Sequence, residues 1–378
     1  MEMLPMMKER ICLSVSSQPG RLMSATLLDK PTTETDMPPL NVAVSEGFVS
    51  WLKAQQLSFA FSTHQAGKLF CVGRLPSDKL ALFERTFEQA MGLFARDDSL
   101  YLATRAQLWR FVNALQPGQQ HEGHDALYVP QMSSVTGDLD VHDLAVDSRH
   151  ILYFVNTLFS CVAEASATHS FRTVWQPPFI SQLWPEDRCH LNGLALDGDM
   201  PAFVTMVAQT DTKEGWREQR IGGGLVMDIR TNAVIADGLS MPHSPRLHQG
   251  RVWFLNSGTG QLMSVDAKGG KAVEVCFCPG YARGLAMVGD YAIVGLSKPR
   301  EGSSFADLPL AQELKKRNQE PLCGILVINH AHGLIEHQLT LEGVVQEIYD
   351  VVALPGLTRP MAVGFKTPDV RRIISIEP

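Results

Sequence analysis

Six times along this 378-residue chain a short apolar segment returns, at intervals averaging about 50 residues, the spacing of short-stranded β-propeller repeats. The copies read Met91-Gly92-Leu93-Phe94, His142-Asp143-Leu144-Ala145, Asn192-Gly193-Leu194-Ala195, His243-Ser244-Pro245-Arg246, Arg283-Gly284-Leu285-Ala286 and Tyr349-Asp350-Val351-Val352. A second apolar run follows each within about ten residues, as the second strand of a blade should. If each copy is an inner strand, its first residue falls at the mouth of the central channel. Those residues are Met91, His142, Asn192, His243, Arg283 and Tyr349.

The ends of the chain decide the blade count. Residues 57–63, 68–73 and 79–87 read as three antiparallel strands with no inner strand of their own. The last copy supplies an inner strand, a second strand at 360–365 and a third at 372–377. Counted as separate units, these ends make an all-β, single-domain propeller of seven blades; fused into one blade, they make six. We favour seven. Residues 1–45, rich in Pro, Thr and Ser, read as a flexible N-terminal arm before a propeller domain at 46–378. A short amphipathic helix is expected at 46–56.

Composition narrows the partners. A formal net charge of −7 argues against nucleic acid or an anionic membrane surface. No apolar run approaches the ~18 residues of a spanning helix, and no basic segment leads into an apolar stretch at the N-terminus. A cytoplasmic protein is expected. The seven cysteines, most of them inside apolar runs, read as reduced and buried. Two insertions interrupt the strands: 211–224, carrying Trp216, Arg217 and three consecutive glycines, and 303–321, which contains a surface helix. Loops of that length suggest lids or partner contacts. The triple glycine runs into a strand and lacks the lysine-serine ending of a phosphate loop.

Several segments carry a family resemblance: Ser62-Thr63-His64-Gln65-Ala66-Gly67-Lys68-Leu69, Met241-Pro242-His243-Ser244-Pro245-Arg246 and Pro279-Gly280-Tyr281-Ala282-Arg283-Gly284-Leu285, with Ser297-Lys298-Pro299-Arg300 and Glu347-Ile348-Tyr349-Asp350-Val351. From about residue 46 onward the chain resembles a bacterial family of conserved hypothetical proteins. That resemblance implies a propeller and brings no activity with it.

The chemistry must come from the residues. His142, His190 and His243 belong to loops entering inner strands, and His64 to a loop joining a second and third strand, so all four share one face of the disc. Neutral imidazoles are common ligands of Zn, Fe and Cu, and three of them with an open position describe a catalytic site. Arg283 offers a planar, permanently charged fork that needs Asp143, Asp350 or an anionic ligand beside it. Arg246, inside its strand, reads as structural. Tyr349, Glu347 and Asp143 are candidates for proton transfer, while Asn192, Trp216 and Met241 would line the substrate site. Three readings compete. In the first, a divalent metal on His64, His142, His190 and His243 serves oxygenase or lyase chemistry on a small anionic or peptide-like substrate. In the second, the same face binds a small anion or a protein partner without turnover. In the third, the outer helix and the N-terminal arm dock partners around an inert centre. We favour the first.

Overall fold

The computed structural model describes residues 23–26 (backbone only), 39–299 and 307–376. Three consecutive antiparallel sheets show how the repeat folds. Val141–Val146, Leu152–Asn156, Cys161–Glu164 and Arg172–Trp175 pair in chain order, as do the four strands from Leu191–Asp197 to Ala233–Leu239 and the four from Pro242–His248 to Val273–Phe277. All six residues of Val141–Val146 are buried, because an inner strand is covered by both neighbouring blades. In Arg172–Trp175, an outer strand, three of the four are exposed.

The ends close the ring, and they correct the expected count. Asp350–Pro355 pairs antiparallel with Leu57–Thr63, Asp350 opposite Ser62 and Pro355 opposite Leu57. The last inner strand therefore completes the first blade, and the propeller has six blades, not seven. The strands expected after it are not a further blade either. Pro360–Ala362 adds in parallel to Ala126–Tyr128 on the outside of the second blade, and residues 368–371 form a single 3-10 turn. A ring zipped by both ends of the chain leaves no inner edge open.

The sixth blade is widened. Asn41–Val44, within the stretch read as an arm, pairs antiparallel with residues 339–342, and Met23–Thr26 pairs with it in turn. The rest of the expected arm, residues 1–22 and 27–38, lies outside the described residues. The expected helix is Phe48–Ala54, led by Gly47 at φ 78, a left-handed value that glycine adopts without strain. It buries Phe48, Trp51 and Leu52 against the core shared by the first and sixth blades. Cys71, Cys161, Cys189, Cys276, Cys278 and Cys323 are free thiols, all buried. Cys12 lies outside the described residues.

Inside the ring, each inner strand packs on the next. At its second level glycine alternates with a polar residue: Gly92, Asp143, Gly193, Ser244, Gly284, Asp350. A Cβ on Gly284 would sit 2.7 Å from the Asp350 Cα, and one on Gly193 would sit 2.2 Å from the Pro245 Cδ. The missing side chains are what let the strands approach. Each polar residue accepts a backbone N–H from the following blade: Asp143 from Leu194 at 3.1 Å, Ser244 from Gly284 at 3.0 Å, Asp350 from Leu93 at 2.8 Å. Arg246 then crosses the channel. It donates to both oxygens of Asp143 at 2.8 and 3.2 Å, to Asp350 at 3.4 Å, and through Nε to the Leu285 carbonyl at 2.9 Å. Residues of all six blades thus meet in one buried ionic knot.

Candidate functional site

Above this knot, the first residues of the six copies form the channel mouth. The backbone turns sharply on the way in: Gln89, Asp140, His190 and Met241, each two residues before a ring residue, all have φ near +50° (49–53°). The turn aims the preceding carbonyl at the ring side chain. His142 Nδ1 donates to the Asp140 carbonyl at 2.9 Å and His243 Nδ1 to the Met241 carbonyl at 2.9 Å. A carbonyl can only accept, so both imidazoles carry their proton on Nδ1 and present a lone pair at Nε2. Thr157 and Ser257, just past the second strands, brace the same nitrogens at 3.0 and 3.2 Å. Their hydroxyls in turn donate to the carbonyls of Leu191 and Ala282 in the following blade. Burial, reinforced by the charge of Arg283, pushes both imidazoles well below the usual histidine range, so they are neutral at pH 7.

The four histidines do gather on one face. The rings of His142 and His190 meet edge to face with centroids 4.8 Å apart, and His142 lies 6.3 Å from His243 and 5.7 Å from Tyr349. His64 stacks on Tyr349 at 5.5 Å. His190 is held from behind: its Nδ1 donates to Asp187 Oδ2 at 2.8 Å, and its ring stacks on Trp216 at 4.1 Å. Trp216 donates to the same carboxylate oxygen at 2.8 Å. Among the described residues, no group of three or more His, Cys, Asp or Glu side chains is arranged to hold a metal ion.

Arg283 lies flat over Tyr349, its Cζ 3.4 Å from the ring centroid. That is a cation–π contact. Arg283 Nη2 and the Tyr349 hydroxyl are both buried and meet no hydrogen-bond partner in good geometry, although the guanidinium is close enough to the hydroxyl to favour its ionised form. Burial pushes the Tyr349 hydroxyl well above the usual phenol range, so it remains a donor. The carboxylates expected beside Arg283 are elsewhere, because Asp143 and Asp350 are engaged by Arg246. Asp143, expected as a general base, also accepts the backbone N–H groups of Leu144 and Leu194 and belongs to the ring's frame.

The other expected residues divide. Asn192 stands at the mouth, buried; its Oδ1 accepts from Thr205 at 2.8 Å, and its Nδ2 has no partner. Glu347 is buried within electrostatic reach of Tyr349. Met241 and Trp216 pack together with Tyr281, Leu308, Leu310 and Leu314 in an apolar cluster. That cluster joins the two insertions. The helix Leu310–Arg317 is the expected surface helix: it leaves Lys315, Lys316 and Arg317 exposed and turns Leu310 and Leu314 inward against Trp216 and Met241. Sequence reasoning missed Asp187, Asp140, Thr157 and Ser257. Each has a sequence signal: a carboxylate two or three residues before a histidine, or a hydroxyl at the end of a second strand.

With this geometry in view, the chain's relatives can be named. Residues 46–363 match the model of a domain of unknown function, DUF4915, and the chain belongs to that family. No curated protein matches it in sequence. Among solved structures, it is similar to a chain of a nidogen/laminin complex at 9% identity and TM-score 0.49, covering 79% of this chain and 99% of that one. It is also similar to virginiamycin B lyase from Staphylococcus aureus. A catalytically inactive form with quinupristin aligns at 10% identity and TM-score 0.40, covering 80% of this chain and 100% of that one. The selenomethionine-substituted form aligns at 9% and 0.40, covering 85% and 98%. Likenesses this remote carry no argument about what the present chain does.

Proposed function

We propose that this propeller binds a small anionic molecule end-on at the channel mouth. One observation carries the reading: Arg283 Nη2, the Tyr349 hydroxyl and Asn192 Nδ2, each on the first residue of a repeat copy, are buried donors without partners. Leaving a buried polar group unpaired costs about 1–3 kcal/mol, more when it is charged, so three together favour a ligand that accepts from all of them. The guanidinium asks for an anion. The test is a calorimetric titration of wild type and Arg283→Gln with small carboxylates and with inorganic phosphate. Binding by wild type that weakens at least about tenfold in the variant fits the loss of a charged hydrogen bond. Equal binding by both proteins would sink the reading.

A second reading rests on the Nε2 lone pairs of His142 and His243, whose tautomer is the one a divalent Zn, Fe or Cu ion requires. It ranks second because the described histidines and carboxylates do not converge on a common point. Metal analysis of tag-free protein checks it: near-stoichiometric metal that disappears in His142→Ala and His243→Ala would promote this reading to first.

A further inference from the structure

Away from the channel, where the added strand Pro360–Ala362 meets the first blade, lies a cavity of about 180 Å3. Cys71, Leu75, Ala81, Leu82, Phe83 and Pro360 give it an apolar wall, and His124 and Arg359 complete it. Apolar cavities of about 150 Å3 already take up benzene. The wall is firmly built. Asp125 accepts the backbone N–H groups of Thr358 and Arg359 at 2.6 and 2.7 Å, and Arg74 donates its N–H to the Thr358 carbonyl at 2.9 Å. A Cβ on Gly73 would clash with that carbonyl, so the glycine is what lets the segment cross Lys68–Arg74. His124, itself buried, donates Nδ1 to the Arg359 carbonyl at 3.0 Å and meets Phe83 edge to face.

The lining carries one charge. Burial, reinforced by Arg359, holds His124 below the usual histidine range, and burial pushes the Cys71 thiol up to about 12, so both are neutral at pH 7. Arg359 is half-buried, and its guanidinium gives only long bonds, from Nη1 to the Glu122 and Gly123 carbonyls at 3.5 and 3.4 Å. Among the described residues it forms no ion pair: Asp125 is taken by backbone N–H groups, and Glu122 acts on His124 without reaching the guanidinium. We infer that this cavity is a second binding site, for a small monocarboxylate with a compact apolar body. The body fills the space between Leu75, Ala81 and Phe83, and the carboxylate takes the fork of Arg359. An inorganic anion leaves the apolar wall unfilled, and a neutral apolar molecule leaves the guanidinium uncompensated.

The experiment is a calorimetric titration of the full chain carrying Arg283→Gln, which takes away the charge at the channel mouth. Benzoate is the probe, with benzamide and acetate beside it. Benzoate should bind at least about tenfold more tightly than either, since benzamide lacks the charge and acetate the apolar body. Adding Arg359→Gln should weaken benzoate at least about tenfold and leave benzamide unchanged. Asp125 holds the backbone of residue 359 and not its side chain, so this variant keeps its fold. The same titrations of wild type and of Arg359→Gln alone serve if Arg283→Gln folds poorly. Benzoate and benzamide binding alike, or neither binding, would overturn the inference. Benzoate binding lost with Arg283→Gln and untouched by Arg359→Gln would overturn it too, and would leave the mouth as the carboxylate site.

Discussion

The channel has two polar levels one residue apart, and they are built in opposite ways. At the lower level, Asp143, Arg246 and Asp350 are saturated: both carboxylates accept from the guanidinium and from backbone N–H groups. At the upper level, His142, His243, Arg283, Asn192 and Tyr349 are just as buried, or nearly so, yet donors on Arg283, Asn192 and Tyr349 go unused. Buried polar groups are normally satisfied because desolvation is not otherwise repaid. The lower level therefore reads as architecture and the upper one as a site. The same strands make both, since alternate residues of a strand face different surroundings.

The contrast breaks most visibly at Arg246. Arg246→Leu leaves two buried carboxylates without their cation, and unfolding by urea should show a loss of about 3–5 kcal/mol. A loss below about 1 kcal/mol would mean that the knot does not hold the ring. Gly284→Ala tests the close approach that the knot requires. Its φ of 80 and the 2.7 Å that would separate an added Cβ from the Asp350 Cα predict a loss of about 1–2 kcal/mol or more by the same measurement.

The knot also predicts a pH signature. Two carboxylates share one guanidinium in a buried space, and burial pushes Asp350 up to about 7 despite the pull of Arg246. A folded pKa above the unfolded value means that the native state holds the extra proton. The stability this provides is complete below about pH 4 and is lost as pH rises towards 7. Asp350→Asn cannot titrate, so its stability relative to wild type should improve steadily from pH 4 to pH 7. A pH-independent difference between the two proteins would show that Asp350 is ionised throughout.

At the mouth the expected effect on stability is smallest. Tyr349→Phe removes a hydroxyl that has no partner, so its stability should stay within about 1 kcal/mol of wild type. Binding of the carboxylate probe should nevertheless weaken. A variant that unfolds like Arg246→Leu would move Tyr349 from the site to the frame.

Much of this was legible in the sequence, for reasons that differ by residue. The repeat placed His142, Asn192, His243, Arg283 and Tyr349 on one ring, because register within a repeated sheet is a local property. Arg246 read correctly as structural from its place inside a strand. The partner of Arg246 was not legible: Asp143 and Asp350 lie about 100 residues away on either side, and only ring closure brings them together. The blade count failed for the same reason. Nothing local in 57–63 or 350–355 says that the two pair across nearly 300 residues. The role of the 303–321 insertion was hidden as well, since burying Leu310 and Leu314 depends on Trp216 from a different insertion.

The most direct test of the division between frame and site is a high-resolution crystal structure of the protein grown with its tightest-binding carboxylate. The account predicts ligand density at the mouth, with acceptors within hydrogen-bond distance of Arg283 Nη2, the Tyr349 hydroxyl and Asn192 Nδ2, and an unchanged knot below. Those three donors paired to protein atoms instead, with the ligand bound elsewhere on the disc, would contradict it.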